Sequence, residues 1–278
     1  MAVADGVLTE LARWPVKSLG GERLAAARLD WRGLGGDRAY ALLDRRQGRE
    51  GRWATIRQAP GMLAWSAAYP QAPDDRLDPA DPPPPVLRAP DGTVWGWDDP
   101  GLDQALAADL GMAVARHRDL GGQQDLQASV LVTTEASRRA VAEALGRPVE
   151  LRRFRTNLHL ELDAPPFAEE GWEGGRIQVG EVTLALANPC ARCVIPTRDP
   201  DDLSRWPELL RWLHRRRGGL FGVNARVVAG GRVRVGDRAT VTEPATPSPP
   251  RPSTDWDVAP RGGLRGSSLA PQWNGGVV

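Results

Sequence analysis

Residues 7–14 (Val-Leu-Thr-Glu-Leu-Ala-Arg-Trp) alternate apolar and polar positions with a period near two, then run into Pro-Val-Lys-Ser. This is the pattern of a strand entering a loop. The same alternation predicts strands over 23–31, 37–44 and 52–57, parted by Gly-rich turns such as Gly33-Leu-Gly-Gly. Together they predict a small N-terminal barrel or sheet. Residues 71–85 break the pattern, because Pro and Asp dominate and Pro82 to Pro85 are consecutive, so an exposed loop or insertion is expected there. Ala105 to Leu110 predicts a short helix ended by Gly111. Ser129-Val-Leu-Val-Thr-Thr predicts a buried strand, and Glu135 to Leu145 an amphipathic helix capped by Thr133 or Thr134 and closed by Gly146. Strands are expected near 152–162, 176–179 and 182–187, then a loop over 188–200, a helix from about 206 to 215, and strands near 223–229 and 232–240. The fold class is therefore mainly β with a few helices (α+β). From Glu243 the chain turns Pro-rich and then Gly- and Ser-rich, which predicts a disordered tail over 243–278.

Composition narrows the function classes. A chain of 278 residues can bury one large β-rich core or two ordinary ones without covalent staples. Lys+Arg 36 against Asp+Glu 35 leaves a net charge of +1, so no global field marks a nucleic-acid or acidic-membrane binder and any anion site must be local. Gly 31 and Pro 25 suit many short strands and turns. The 11 Trp residues read as core and loop packing. The N-terminus carries no basic segment followed by an apolar one, and no apolar run approaches about 18 residues, so the expectation is a cytoplasmic protein with no membrane partner.

Candidate chemistry concentrates in Asn188-Pro-Cys-Ala-Arg-Cys-Val-Ile, which holds both cysteines of the chain, Cys190 and Cys193, as a C-x-x-C. Structural zinc wants four ligands, and only His117, His159 and His214 are on offer besides the thiols, none at half-site spacing. A thioredoxin-like dithiol wants its first cysteine at a helix N-terminus, whereas here a strand precedes and Pro196 follows. Both cysteines could also be small buried hydrophobes, which remains open for Cys190. What sets Cys193 apart is its cationic company, beginning with Arg192, since positive neighbours favour the thiolate that ligates soft metals. One thiolate cannot hold a metal by itself, so a cofactor would carry most of the coordination.

The chain resembles the MOSC-domain proteins, the molybdenum-cofactor sulfurase C-terminal type, and among them the two-part members like the mitochondrial amidoxime-reducing component. The segments that carry the resemblance are Trp14-Pro-Val-Lys-Ser, Gly36-Asp-Arg-Ala-Tyr-Ala-Leu-Leu-Asp, Leu131-Val-Thr-Thr-Glu-Ala-Ser, Arg153-Phe-Arg-Thr-Asn-Leu, Phe167-Ala-Glu-Glu-Gly-Trp, Asn188-Pro-Cys-Ala-Arg-Cys and Gly219-Leu-Phe-Gly-Val-Asn. Each is weak alone; in family order over about residues 6–241 they are specific. The Pro-rich stretch within 60–100 is the departure. The resemblance implies an N-terminal β-barrel-like domain over 1–100 packed on a MOSC β-barrel over 101–242, with the molybdopterin cofactor between them. It implies that Cys193 binds molybdenum and that Arg192 contacts the cofactor. Lys17 and Ser18 would reach the pterin phosphate with Arg38 on the same side, while Arg155, Thr156 and Asn157 would bind pterin and phosphate. Asp125 is a further candidate beside the metal, and Thr133 and Thr134 read as helix-cap residues. Such a set suits a phosphate dianion, which Arg forks and a Lys point charge bind well.

By the same resemblance the reaction is oxygen-atom transfer that reduces an N-hydroxylated or N-oxide-type small molecule. Two cysteines cannot build a Cys-ligated iron–sulfur cluster, and the sequence shows neither a haem-attachment motif nor a dinucleotide fingerprint. A separate ferredoxin, flavodoxin or cytochrome-type protein is therefore expected as electron donor. Two alternatives stay open: sulfur transfer through a cysteine persulfide, and a carrier that binds molybdopterin without turnover.

Overall fold

The structure is a computed structural model that describes residues 2–70, 76–118 and 129–243. The expected tail lies outside the described residues, as does Asp125. The first half of the chain forms β1 (Ala2–Arg13), β2 (Glu22–Leu24), β3 (Ala26–Asp30), β4 (Gly33–Leu34), β5 (Tyr40–Asp44), β6 (Ser66–Ala68), β7 (Val86–Arg88), β8 (Val94–Gly96), helix α1 (Leu102–Leu110) and β9 (Val114–Arg118). The second half forms β10 (Val130–Thr134), α2 (Glu135–Leu145), β11 (Leu158–Leu162), β12 (Arg176–Val179), β13 (Val182–Ala191), α3 (Pro207–Arg217), β14 (Leu220–Ala229), β15 (Gly231–Arg234) and β16 (Arg238–Thr242).

The larger sheet runs β11-β10-β14-β13-β12-β16-β1 and closes on itself because β1 also pairs with β11, with β2 attached to the end of β1. Closure removes the two long edges that an open sheet of these strands would leave. All pairings in this barrel are antiparallel except β10 with β11. Its interior is filled by inward residues of every strand, including Leu8, Leu11, Val132, Leu160, Leu184 and Val241. Gly6 lets β1 reach β11, since a Cβ there would sit 1.9 Å from the Glu161 carbonyl oxygen. The N-terminal half builds a second core in which Trp65, Tyr40, Leu42, Leu87 and Leu106 pack between the β5–β9 pair and the β6-β7-β8 sheet. A third, smaller core joins α2, α3, Phe154 and Phe221.

The mainly β architecture, with three α-helices among the described residues, agrees with the alternation read from sequence, and the helix limits agree where caps are explicit. Thr134 caps α2 through its Oγ1, which accepts the Ser137 N–H at 3.3 Å, and Gly146 ends it in the left-handed conformation. Differences arise where pairing partners decide. Residues 52–57 make only the isolated bridge Leu43↔Trp53, because the Gln58 side chain accepts from the Thr55 N–H (3.0 Å) and turns the backbone away from a ladder. The segment 23–31 divides at Ala25, its two parts pairing with β1 and β15 in different sheets. The beginning of 152–162 is the 3₁₀ turn Leu151–Phe154, and 232–240 splits into β15 and β16. Strand β13 runs beyond 187 to Ala191 because β14 offers partners as far as Leu220, so Cys190 lies within the strand and the loop begins at Arg192. The described part of the Pro-rich segment, 76–85, is a mostly exposed loop, as expected, pinned at three buried points, Leu77, Pro82 and Pro85; the Pro82 carbonyl accepts from the Tyr40 hydroxyl at 3.1 Å.

Candidate functional site

One cavity of about 260 Å³ gathers Lys17, Ser18, Arg38, Arg155, Arg192 and Cys193 from four separate stretches of chain, with Cys190 also on its wall. Lys17 and Ser18 lie in the turn after β1, Arg38 in the turn before β5, and Arg155 directly after the 3₁₀ turn Leu151–Phe154. Arg192 and Cys193 follow β13. Ser18 (φ 69°), Arg38 (φ 52°) and Arg155 (φ 56°) all adopt the left-handed backbone conformation. For a residue with a Cβ this costs about 1–2 kcal/mol, and such strain collects where side-chain direction matters more than local comfort.

Asp37 holds two of these turns together. It is fully buried, its Oδ1 accepts the Trp14 N–H at 2.7 Å, and its Oδ2 pairs with Arg38. The Arg38 N–H returns a bond to the Trp14 carbonyl at 2.7 Å, and the Lys17 N–H reaches the Tyr40 carbonyl at 2.8 Å. Asp37 sits inside the Gly-Asp-Arg motif, where nothing in a single sequence separates a buried stitching carboxylate from a solvated one. Asn224 of β14 also lines the cavity; as a polar residue within an apolar strand it carried a legible signal.

Arg155 is buried, with its guanidinium over the Trp14 ring at 4.6 Å and its Nη1 donating to the Leu19 carbonyl. Burial first, and then the nearby Arg38 and Arg192 charges, push its pKa down to about 9, against the opposing pull of Asp37 and Cys193. Its Nη2 is buried without a hydrogen-bond partner, and so is Nε of Arg192. The rest of Arg192 is engaged, Nη2 with the Phe154 carbonyl at 2.7 Å and Nη1 with the Cys190 sulfur at 3.0 Å. Cys190 and Cys193 are both free thiols of intermediate exposure. Buried donors without acceptors are costly, so a cavity that holds two of them amid converging cations suits an anionic ligand. A phosphate for the guanidinium groups and a soft metal for the thiol match this donor set, so the residues present fit a molybdenum cofactor.

The other sequence candidates lie elsewhere. Thr156 and Asn157 do not line this cavity. The Asn157 side chain accepts the Leu131 N–H at 3.0 Å and donates to the Ala12 carbonyl at 3.2 Å, which ties β1, β10 and β11 together, and its Oδ1 also accepts from Nη1 of the cavity residue Arg38 at 3.5 Å. Thr156 is buried, and its Oγ1 accepts from Thr133 at 3.3 Å. Thr133 continues to His159 Nδ1 at 2.8 Å, and His159 Nε2 meets Glu135 Oε2 at 3.0 Å. Burial depresses the His159 pKa below its usual 6.5, with Glu135 and Glu10 opposing and Arg138 adding to the effect. A base whose pKa is lower in the folded state contributes stability above its unfolded value and loses it as pH falls through the folded one. Melting temperature is therefore expected to drop on acidification below pH 6.5, and His159→Gln to flatten that slope in a pH series of thermal melts.

Residues 5–108 match the MOSC N-terminal beta barrel domain and residues 116–240 the MOSC domain. No curated protein matches the chain. Among solved structures, the YUAD protein from Bacillus subtilis is similar at 15% identity and a TM-score of 0.47, over 87% of this chain and 98% of that one. YiiM from Geobacillus stearothermophilus is similar at 19% identity and a TM-score of 0.33, over 41% of this chain and 54% of that one. YiiM from Escherichia coli is similar at 16% identity and a TM-score of 0.32, over 42% and 55%. No helix among the described residues is long and apolar enough to cross a membrane. With the two matched domains in succession and a cation-lined thiol cavity built from both, this chain is a MOSC-domain protein, of the kind whose members bind the molybdenum cofactor.

Proposed function

We propose that the chain holds a molybdenum cofactor in this cavity and works as an oxidoreductase on N-hydroxylated or N-oxide-type small molecules. The observation that carries this reading is the meeting of a partly exposed thiol, Cys193, with two arginines, the buried Arg155 and the partly buried Arg192, that each keep one buried donor atom without a partner. Arg155 and Arg192 would hold the phosphate, with Lys17, Ser18 and Arg38 on the same wall, and Cys193 would bind the metal as its thiolate. When bound, the group supplies oxygen-atom transfer and the electron pair that goes with it. The chain's own part is to place and shield. Leu131, Phe154 and Ile195 form the apolar wall of the cavity and limit water beside the thiol. Asp37 keeps Arg38 oriented, and the Phe154 carbonyl does the same for Arg192. The two cysteines of this chain are too few for a Cys-ligated iron–sulfur cluster, so electrons would come from a ferredoxin, flavodoxin or cytochrome-type partner.

A second reading, sulfur transfer, is favoured by the Arg192 bond to the Cys190 sulfur, a contact that would stabilise an anionic sulfur. One preparation separates the two. Protein purified from a molybdenum-replete host should carry molybdenum and pterin in equal amounts and, with a chemical reductant, convert a benzamidoxime-type compound to the amidine. Metal-free protein bearing cyanide-labile sulfur would overturn the oxidoreductase reading.

A further inference from the structure

We infer that Arg153 is the positioning residue for Cys193, acting through the loop that follows it; this rests on the reading of Cys193 as the working thiolate. Cys193 lies between the end of β13 at Ala191 and the 3₁₀ turn Ile195–Thr197, so no ladder bond fixes it directly. One short element holds both flanks. On the upstream side Arg192 Nη2 donates to the carbonyl of Phe154, the last residue of the 3₁₀ turn Leu151–Phe154. On the downstream side Arg153, from the same turn, donates through Nη1 to the carbonyls of Arg198 (2.8 Å) and Pro196 (3.3 Å) and pairs through Nη2 with Asp199. The side chain of Arg153 is only 3% exposed, and its guanidinium also lies 5.5 Å from the Trp206 ring centroid.

The turn itself is anchored, because Phe154 stacks on Phe221 of β14 at 3.9 Å. It also leads straight into Arg155, whose guanidinium enters the cavity. Arg153 therefore couples the placement of the thiol loop to the placement of the buried anion-binding arginine. A planar fork is needed to serve three acceptors at once, and a lysine ammonium offers no such geometry. The position was legible as a charge in the Arg153-Phe-Arg motif, but only the fold shows that it turns away from the cavity and grips the loop.

The test uses full-length, metal-free protein carrying Cys190→Ser, so that Cys193 is its single thiol. The rate of alkylation by N-ethylmaleimide is compared for Arg153, Arg153→Lys and Arg153→Ala. Loosening the loop should raise the rate about tenfold in both variants, the scale set by losing one charge-assisted hydrogen bond. Val141→Ala, which removes apolar volume from the neighbouring core, serves as a control for general destabilisation. Alkylation that is unchanged in Arg153→Lys, or accelerated equally by Val141→Ala at matched loss of stability, overturns the inference. Failure of the cofactor reading would look different, because alkylation would still respond to Arg153 while no preparation bound molybdenum.

Discussion

Cys193→Ser is expected to leave the purified protein with less than about a tenth of the wild-type molybdenum, and to abolish reduction of N-hydroxylated substrates, whereas Cys190→Ser keeps both. The two thiols are three residues apart, both are of intermediate exposure and both line the cavity, so the expected contrast does not rest on burial. It comes from partners. The Cys190 sulfur already accepts from Arg192 at 3.0 Å, while among the described contacts Cys193 is coupled to Arg155 through space and has no such bond. A serine hydroxyl at 193 stays protonated at neutral pH and is a hard donor, a poor substitute for a thiolate on a soft metal. Metal analysis of the two variants, prepared in parallel from one molybdenum-replete host, reads the result. Equal molybdenum in both would remove Cys193 from the site.

Arg155→Met is expected to have opposite effects on binding and on folding. The buried guanidinium has a pKa lowered to about 9 from an ordinary 12.5, so keeping it charged at neutral pH opposes folding by an amount on the order of several kcal/mol. The sign follows from linkage: the penalty is present in full below about pH 9 and fades only as pH rises from there toward 12.5. A methionine of similar reach removes that charge and leaves only the Leu19 carbonyl without its partner, a loss of about 1 kcal/mol. Metal-free Arg155→Met should thus be at least as resistant to urea as the wild type. Cofactor content should fall at least about tenfold, because truncating one side of a buried charge pair removes some 2–5 kcal/mol of binding. Millimolar phosphate should raise the melting temperature of the metal-free wild type and leave Arg155→Met unmoved. A variant that is much less stable yet fully loaded would show Arg155 to be a structural residue alone.

The same logic explains why a stable, rigid frame surrounds an unfavourable cavity. Converging Lys17, Arg38, Arg155 and Arg192 repel one another, and three left-handed residues add strain. The surrounding ladders, the buried Asp37 and the Asn157 clamp hold those groups in place before any ligand arrives. Preorganisation of this kind moves the cost of assembly into folding, so that an entering anion meets donors already aimed.

Much of this was written in local sequence. Alternation with period two set the β class, Thr134 and Gly146 set the limits of α2, and Gly111 ended α1, because each signal depends only on neighbours in the chain. The ordered motifs named Lys17, Arg38, Arg155, Arg192 and Cys193, which the fold brings to one cavity. What tertiary structure alone decided depends on partners far away in sequence. Residues 52–57 meet β5 only at Trp53 before the Thr55–Gln58 turn, β13 continued through Cys190 because β14 reached Leu220, and the Pro-rich loop is pinned to Tyr40 at Pro82. Asn157 and Arg153 carry the same motif signal as Arg155, yet the fold turns one to the backbone of three strands and the other to the loop after Cys193, while Arg155 alone enters the cavity. The physical reason is that a motif specifies which groups are present, whereas the direction of each side chain is set by strand register and by backbone conformation such as the left-handed turn at Arg155.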